Sequence, residues 1–140
     1  MKILKKIKTA YRRIDLPIKR GNLVIDIGSG GTPNPLADIC VDGMDENLER
    51  DTALKIDRPF VWANVQNLPF EKDCFDYSIL SHVLEHLENP AECLTEINRI
   101  SKAGYIETPN SFYELAYPHN YHLSRCSIRN GKLIIPAIVN

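Results

Sequence analysis

The sequence lacks several features that would assign it to a class at once. No continuous apolar run is long enough for a signal-peptide core or a membrane-spanning helix. No integral membrane segment is therefore expected, and a cytoplasmic location is the default prediction. Neither sign of charge dominates, because 17 Lys and Arg residues oppose 18 Asp and Glu residues. The resulting net charge of −1 gives no reason to expect a nucleic-acid partner for the chain as a whole.

Cysteine is scarce and scattered. The sequence has four cysteines and no C-x-x-C pair, so it suggests neither a zinc site nor a disulfide framework. They are predicted to be small core hydrophobes in a reducing compartment: Cys40, Cys74, Cys93 and Cys126.

The basic residues are unevenly placed, and nearly half of them fall within residues 1–20. Apolar residues in this segment have helical spacing, which predicts a basic amphipathic N-terminal helix over 1–20. Such a helix is compatible with a membrane-surface or nucleic-acid-binding arm. The favoured interpretation is a helix laid against the domain with its lysines solvated. Residues 21–140 are predicted to form a single α/β domain.

The most informative stretch is Leu23–Gly31, in which a buried-type strand runs into a glycine cluster. The apolar run at its start is typical of a strand buried on both faces. Asp26 follows, and the turn then passes through Gly28 and Gly30, where the missing Cβ lets the backbone approach a ligand. Nucleotide-type cofactors bind outside the carboxyl ends of strands in open α/β sheets. A tight left-handed turn after a buried strand is the alternative interpretation of the same residues.

Further strands and helices alternate along the chain. Strands are predicted at 37–42, 60–63, 75–81 and 105–108, and a helix is predicted to begin at Asn89-Pro90 and end at Gly104. Two prolines in Thr32–Pro35 leave room for only a shortened crossover helix, or a loop, between the first two strands. Asn130-Gly131 predicts a hairpin. The fold class is therefore α/β, an open and mostly parallel sheet with an antiparallel C-terminal hairpin edge.

Four motifs occur in a specific order: D-I-G-S-G (26–30), V-D (41–42), N-V-Q-N-L-P-F (64–70) and F-D-Y-S-I-L-S-H-V-L-E-H-L-E-N-P (75–90). Over about residues 22–110 the sequence resembles the class I S-adenosylmethionine-dependent methyltransferases of type 11. The resemblance implies a Rossmann-like open twisted sheet and a methyltransferase-like domain over 21–140. It also implies S-adenosylmethionine as cofactor and methyl transfer to an acceptor that the sequence does not identify, expected to be a small molecule.

The resemblance also assigns roles to residues after the first two strands. Asp26, Gly28, Ser29 and Gly30 match the motif that holds the methionine half of the cofactor. Asp42, followed by Gly43, matches the acid at the end of the second strand. Its two carboxylate oxygens suit the two ribose hydroxyls, because a carboxylate is an acceptor-only group.

Two further positions complete the site that the resemblance implies. Asn64, followed by Val65, stands where the family usually has an aspartate that accepts from the adenine amino group. Ser81 and His82 match the end of the fourth strand, which lines the methyl-transfer channel. Asn64 is a departure from the family pattern, and Thr32 in place of the third glycine is another. An uncharged amide oxygen makes a weaker hydrogen bond than a carboxylate.

Methyl transfer needs a general base only where the acceptor must lose a proton. His82 and His122 are predicted to be catalytic, since imidazole accepts a proton near neutral pH. Three further residues are candidates for the same role: His86, His119 and Glu107. His82 and His86 have the i,i+4 spacing of a metal-binding pair, but no third ligand has a fitting spacing, so no metal site is predicted.

Two other classes of protein compete with an active methyltransferase. A non-catalytic methyltransferase-like module for binding or assembly is favoured by Asn64 and by the lack of a recognisable acceptor-binding domain. A nicotinamide-dependent oxidoreductase shares the glycine turn and Asp42 but explains neither the L-P-F turn nor the E-H segment. A comparison of S-adenosylhomocysteine with NAD as stabilising ligands discriminates between the cofactor classes.

Overall fold

The computed structural model describes residues 15–43, 52–109 and 122–135. Within them, five parallel strands form one sheet in the order β3-β2-β1-β4-β5. The strands are β1 (Val24–Ile27), β2 (Ile39–Asp42), β3 (Phe60–Trp62), β4 (Tyr77–Ser81) and β5 (Gly104–Glu107). The predicted mostly parallel, Rossmann-like sheet is confirmed.

The centre of the sheet is buried on both faces because its strands alternate apolar side chains between two clusters. Ile25, Ile27 and Leu80 belong to the larger cluster, which the helix covers. Val24 and Ile79 point the other way into the smaller cluster. Every residue of β1 is buried, as the apolar run in the sequence predicts.

Between β1 and β2 the described chain contains no helix. The crossover is a loop that contains Thr32–Pro35, in agreement with the short spacing of the two strands. Its backbone is fixed by hydrogen bonds, among them one from Asn34 N to the Asp26 carboxylate at 2.7 Å. A loop of this kind keeps the ends of β1 and β2 close without the length of a helix.

The long helix is α1 (Pro90–Ile100), preceded by a single 3-10 turn at Leu84–His86. Proline stands at the first position, as predicted, because its missing N–H has no helical partner there. The predicted end at Gly104 is wrong: the helix ends at Ile100, and Gly104 opens β5. A Cβ at Gly104 would lie 2.5 Å from the Ser78 hydroxyl, so close strand packing accounts for this glycine.

The predicted hairpin is present as β6 (Ser127–Arg129) and β7 (Lys132–Ile134). Asn130 and Gly131 both have positive φ, 52° and 72°, as a two-residue turn of this kind requires. Its placement at the edge of the large sheet is not observed, because the hairpin forms a separate two-stranded sheet among the described residues. A tight turn specifies only the pairing of the two strands that it joins, and β6 and β7 pair with each other.

The four cysteines are free thiols. Three are buried, as predicted: Cys40, Cys93 and Cys126. Burial raises the pKa of Cys93 to about 12, so this thiol stays neutral. The prediction is wrong for Cys74, which is exposed. Its neighbour Phe75 is buried in the core instead.

The predicted division into an N-terminal helix and one domain stays a prediction. Residues 1–14 lie outside the described residues, and residues 15–20 contain no helix. Leu16 and Ile18 nevertheless pack against the smaller core cluster.

Candidate functional site

The candidate site lies where the order of the strands reverses, between β1 and β4. The chain builds β2 and β3 on one side of β1, then crosses to build β4 and β5 on the other side. The loops after β1 and β4 meet at this point: a Cβ at Gly28 would collide with the side chain of Val83. A crevice at the carboxyl ends of strands beside such a reversal is the usual ligand site of this architecture.

Backbone hydrogen bonds fix the position of the glycine turn. Gly28 N and Ser29 N donate to Val41 O at 2.8 and 3.2 Å, which fixes the turn against β2. Gly28 and Gly30 have φ of 72° and 53°, values that favour glycine. Gly28 is also required by packing against Val83, whereas a Cβ built at Gly30 would have no atom of the described residues within 4 Å apart from its chain neighbours. Gly30 is therefore the point at which a ligand can approach the backbone.

β1 and β2 each carry a buried carboxylate near this turn. Asp26 is 4% exposed and Asp42 is 6% exposed. The Asp42 carboxylate accepts from Gly30 N at 2.7 Å and from Gly43 N at 2.8 Å. Asp42 thus ties the end of β2 to the glycine turn, in addition to any contact with a ligand.

Arg58 is a supporting residue that the sequence did not single out. Its guanidinium donates to Asn34 O and Ala37 O at 2.8 and 2.7 Å, and it pairs with Asp57. The hydrogen bonds from Arg58 hold the pKa of Asp57 well below its ordinary range, with Lys55 as the second cause. The two carbonyls belong to the loop between β1 and β2, so Arg58 fixes that loop behind the site.

The predicted adenine-binding segment follows β3. Asn64 is exposed, and its side-chain oxygen accepts from Gln66 N at 2.9 Å. Asn64 therefore closes a local turn, a role that the sequence did not indicate. Val65 is buried in the larger core cluster, so its side chain serves packing.

The end of β4 carries a hydrogen-bonded row of polar side chains. Strand register places Ser81 opposite Glu107, and the Ser81 hydroxyl donates to the Glu107 carboxylate at 3.0 Å. His82 Nε2 lies 3.6 Å from the other oxygen of Glu107, and His82 Nδ1 lies 3.1 Å from Glu85 Oε1. The side chain of His82 is 42% exposed and its φ is 57°, an uncommon value for a residue with a Cβ. Backbone strain of this kind concentrates at functional sites.

His122 reaches the same region from a distant part of the chain. Its ring packs edge to face on His86 with a centroid distance of 4.9 Å. The ligand atoms of Glu85, His86 and His122 all lie within 4.8 Å of one another. The structure thus brings both predicted catalytic histidines next to Glu85, whereas His119 lies outside the described residues. Glu85 was not singled out from the sequence. Its i,i+3 spacing from His82 was the pattern that could have indicated the contact between them.

With this geometry in place, comparison with known proteins identifies the class. The sequence profile of the methyltransferase-domain family of type 11 matches residues 25–106, more than half of the chain. The chain belongs to this methyltransferase family. S-adenosylmethionine is the cofactor that membership implies.

A related protein of known name agrees with this assignment. The chain is 34% identical over 104 residues to a demethylmenaquinone methyltransferase from Paenarthrobacter aurescens (strain TC1), covering 67% of this chain and 41% of that protein. The chain therefore spans about two fifths of that relative's length.

Solved structures share the fold. A SAM-dependent methyltransferase from Archaeoglobus fulgidus superposes with a TM-score of 0.59 at 22% identity, covering 92% of this chain and 63% of that one. The PH0226 protein from Pyrococcus horikoshii OT3 superposes with a TM-score of 0.58 at 17% identity, covering 96% and 74%. Among the described residues, no helix has the length and apolar character needed to cross a membrane.

Proposed function

We propose that this chain binds S-adenosylmethionine at the reversal between β1 and β4 and catalyses methyl transfer to a small-molecule acceptor. The observation that carries the proposal is the open approach to Gly30, next to the buried Asp42, at the carboxyl edge of a family-typical sheet. Ser29 adds a second indication, since its hydroxyl is buried and has no hydrogen-bond partner among the described residues beyond a weak contact with the Cys40 thiol.

The cofactor-binding roles follow from the positions of these groups. Gly30 offers backbone that the methionine end of the cofactor can approach without meeting a side chain. A carboxylate oxygen can accept more than one hydrogen bond. Asp42 can therefore hold the turn and accept from the ribose hydroxyls at the same time. Asn64 supplies an amide oxygen near the adenine end, shared with the turn that it closes.

The methyl acceptor is proposed to bind next to the polar side chains at the end of β4, which are Ser81, His82 and their partner Glu107. S-adenosylmethionine supplies an activated methyl group, so the protein contributes alignment and exclusion of water. We assign the base role to His82 Nε2, 3.6 Å from Glu107, because a neutral ring whose Nδ1–H donates to Glu85 carries its acceptor lone pair on Nε2, where it can take a proton from an acceptor that must lose one. The name of the 34% identical relative, a demethylmenaquinone methyltransferase, supports a small-molecule acceptor. The cytoplasmic location stays a prediction from the sequence.

A pair of glycine variants tests the cofactor site. Gly30→Ala places a methyl group in the open approach, whereas Gly21→Ala adds one at another positive-φ glycine whose added Cβ would likewise meet none of the described residues within 4 Å. Both variants carry backbone strain of about 1 kcal/mol, so their loss of thermal stability should be similar. We expect Gly30→Ala to weaken S-adenosylhomocysteine binding at least tenfold in calorimetry and Gly21→Ala to leave it unchanged.

The wild-type chain provides the other half of the test. At about a hundred times its dissociation constant, S-adenosylhomocysteine should stabilise the folded chain by about 2.7 kcal/mol. Stabilisation by NAD instead, or no binding by either, would overturn the proposal. Equal binding by the two glycine variants would place the cofactor away from Gly30.

A non-catalytic methyltransferase-like module is the second candidate function. It is favoured by Asn64, whose oxygen is uncharged and already accepts from Gln66 N. This candidate predicts either weak cofactor binding or binding without turnover when candidate acceptors are supplied. Turnover of labelled S-adenosylmethionine with any small-molecule acceptor excludes it.

A further inference from the structure

We propose that Glu85, His86 and His122 form a binding site for a divalent transition-metal ion, with Zn²⁺ as the best match. The sequence predicted no metal site, because no third ligand with a fitting spacing accompanied His82 and His86. The fold supplies one, because His122 lies beside the 3-10 turn that carries Glu85 and His86. The mutual spacing of at most 4.8 Å between their ligand atoms is the first observation in support.

The segment that carries His122 is fixed to the 3-10 turn by its neighbours. Leu123 N and Ser124 N donate to Glu85 O at 2.6 and 3.1 Å. The Ser124 hydroxyl, which is buried, donates to Leu84 O at 3.0 Å. These three hydrogen bonds, two from backbone N–H groups and one from the Ser124 hydroxyl, hold the two parts of the chain together next to the proposed ligands. Because the fold already brings the ligands together, ion binding loses little conformational entropy.

The second observation is the buried carboxylate of Glu85. Glu85 is 1% exposed. One oxygen, Oε1, lies 3.1 Å from His82 Nδ1, while Oε2 is buried with no hydrogen-bond partner among the described residues. Burying such an oxygen without a partner costs free energy. A cation next to Oε2 removes that cost, and the contact of Oε1 with His82 restrains the rotation of the carboxylate.

The donor set selects the class of ion. Two imidazole nitrogens and one carboxylate oxygen suit Zn²⁺ and its transition-metal neighbours, whereas Mg²⁺ and Ca²⁺ prefer oxygen ligands. A tetrahedral Zn²⁺ site places its ligand atoms about 3.3 Å apart, so the three groups, which lie within 4.8 Å of one another, must close by up to about 1.5 Å. Three protein ligands leave a fourth position open, as in catalytic zinc sites.

The position of the site suggests its use. Glu85 contacts His82, which in turn lies between Glu85 and Glu107 at the end of β4. An ion bound here would stand beside the proposed acceptor side, with its open position available to an oxygen of the acceptor. Only this use rests on the proposed function, since the metal site itself follows from the three ligands.

Metal titration of the full chain tests the site. The protein, freed of any affinity tag and treated with EDTA, is titrated with Zn²⁺ by calorimetry and with Co²⁺ by absorption spectroscopy. We expect one ion per chain, a Co²⁺ spectrum of four-coordinate type, and no binding of Mg²⁺ under the same conditions. His86→Ala and His122→Ala should each weaken Zn²⁺ binding at least tenfold, while Cys74→Ser, which removes an exposed thiol, should leave it unchanged.

Several results would overturn the site. They are no Zn²⁺ binding by folded wild-type protein, wild-type affinity in both histidine variants, or loss of binding in Cys74→Ser. Glu85→Gln keeps the shape of the side chain and should also weaken binding, but the histidine variants decide the outcome if that variant fails to fold. S-adenosylhomocysteine binding is measured on the same metal-free protein. Failure of the metal site is thereby distinguished from failure of the proposed function.

Discussion

Asp42 combines two tasks that a sequence pattern cannot separate. An acid at the end of a strand suggests a residue of the loop, free to contact a ligand. In the structure its carboxylate is buried and accepts from Gly30 N and Gly43 N. The residue therefore stabilises the glycine turn as well as serving the proposed ribose contact, and a substitution should change both properties.

Asp42→Asn tests this double role. The amide keeps one acceptor oxygen, so one backbone N–H loses its partner, and we expect the free energy of unfolding to fall by about 1–2 kcal/mol. S-adenosylhomocysteine binding should weaken at least tenfold in calorimetry. Asp38→Asn is the matched control, because Asp38 accepts from Val24 N at 2.9 Å near the other end of β1. It should lose stability but keep ligand affinity. Equal affinities in the two variants would contradict the ribose role.

At the scale of elements, one ion pair joins α1 to the L-P-F turn. Glu96 accepts from Leu68 N at 2.8 Å and pairs with Arg99 at 2.7 Å. Arg99 in turn donates to Leu68 O and Phe70 O. The turn after the proposed adenine-binding segment is thus fixed by side chains of the helix, which gives the L-P-F motif a structural reason beside its family association.

The Glu96 contacts predict a pH dependence of stability. The hydrogen bond from Arg99, with the backbone N–H of Leu68 as a smaller cause, lowers the pKa of Glu96 from 4.5 to about 2. Because the folded pKa lies below the unfolded one, this stabilisation is complete above about pH 4.5 and is lost as the pH falls toward 2.

We expect Glu96→Gln to lower the free energy of unfolding at pH 7. The loss should be only about 1–2 kcal/mol, because solvent partly screens the Glu96–Arg99 pair. The difference from wild type should shrink as urea titrations are repeated from pH 5 down to pH 3. Glu92→Gln, one turn earlier on the same helix, is the control and should show a smaller effect. A difference that stays constant with pH would mean that charge on Glu96 is not responsible.

For the whole molecule, burial predicts an uneven distribution of stability. The central strands β1 and β4 are buried on both faces and paired on both sides. The hairpin of β6 and β7 is exposed, with Ile128 at 77% exposure. Amide hydrogen exchange should therefore be slowest in β1 and β4 and markedly faster in β6 and β7. Hairpin amides protected as strongly as those of β1 would show that this hairpin unfolds together with the sheet.

Much of this molecule follows from its sequence. Apolar runs, the glycine cluster and Asn130-Gly131 predicted the strands, the turn after β1 and the hairpin, because these features depend on neighbours along the chain. The order of the motifs also indicated the methyltransferase family. The end of α1 was misplaced because Gly104, a typical helix terminator, is instead required where β5 packs against Ser78.

Only the tertiary structure decided which polar groups share a site. The sequence named His82 and His122 separately, and the fold brought both to the buried Glu85. It likewise showed that Asp42 bonds to Gly30 and that Arg58 fixes the loop between β1 and β2. Periodicity and motif spacing report local structure, whereas these contacts join residues that are far apart along the chain. Their distances depend on the path of the whole backbone, which no single stretch of sequence contains.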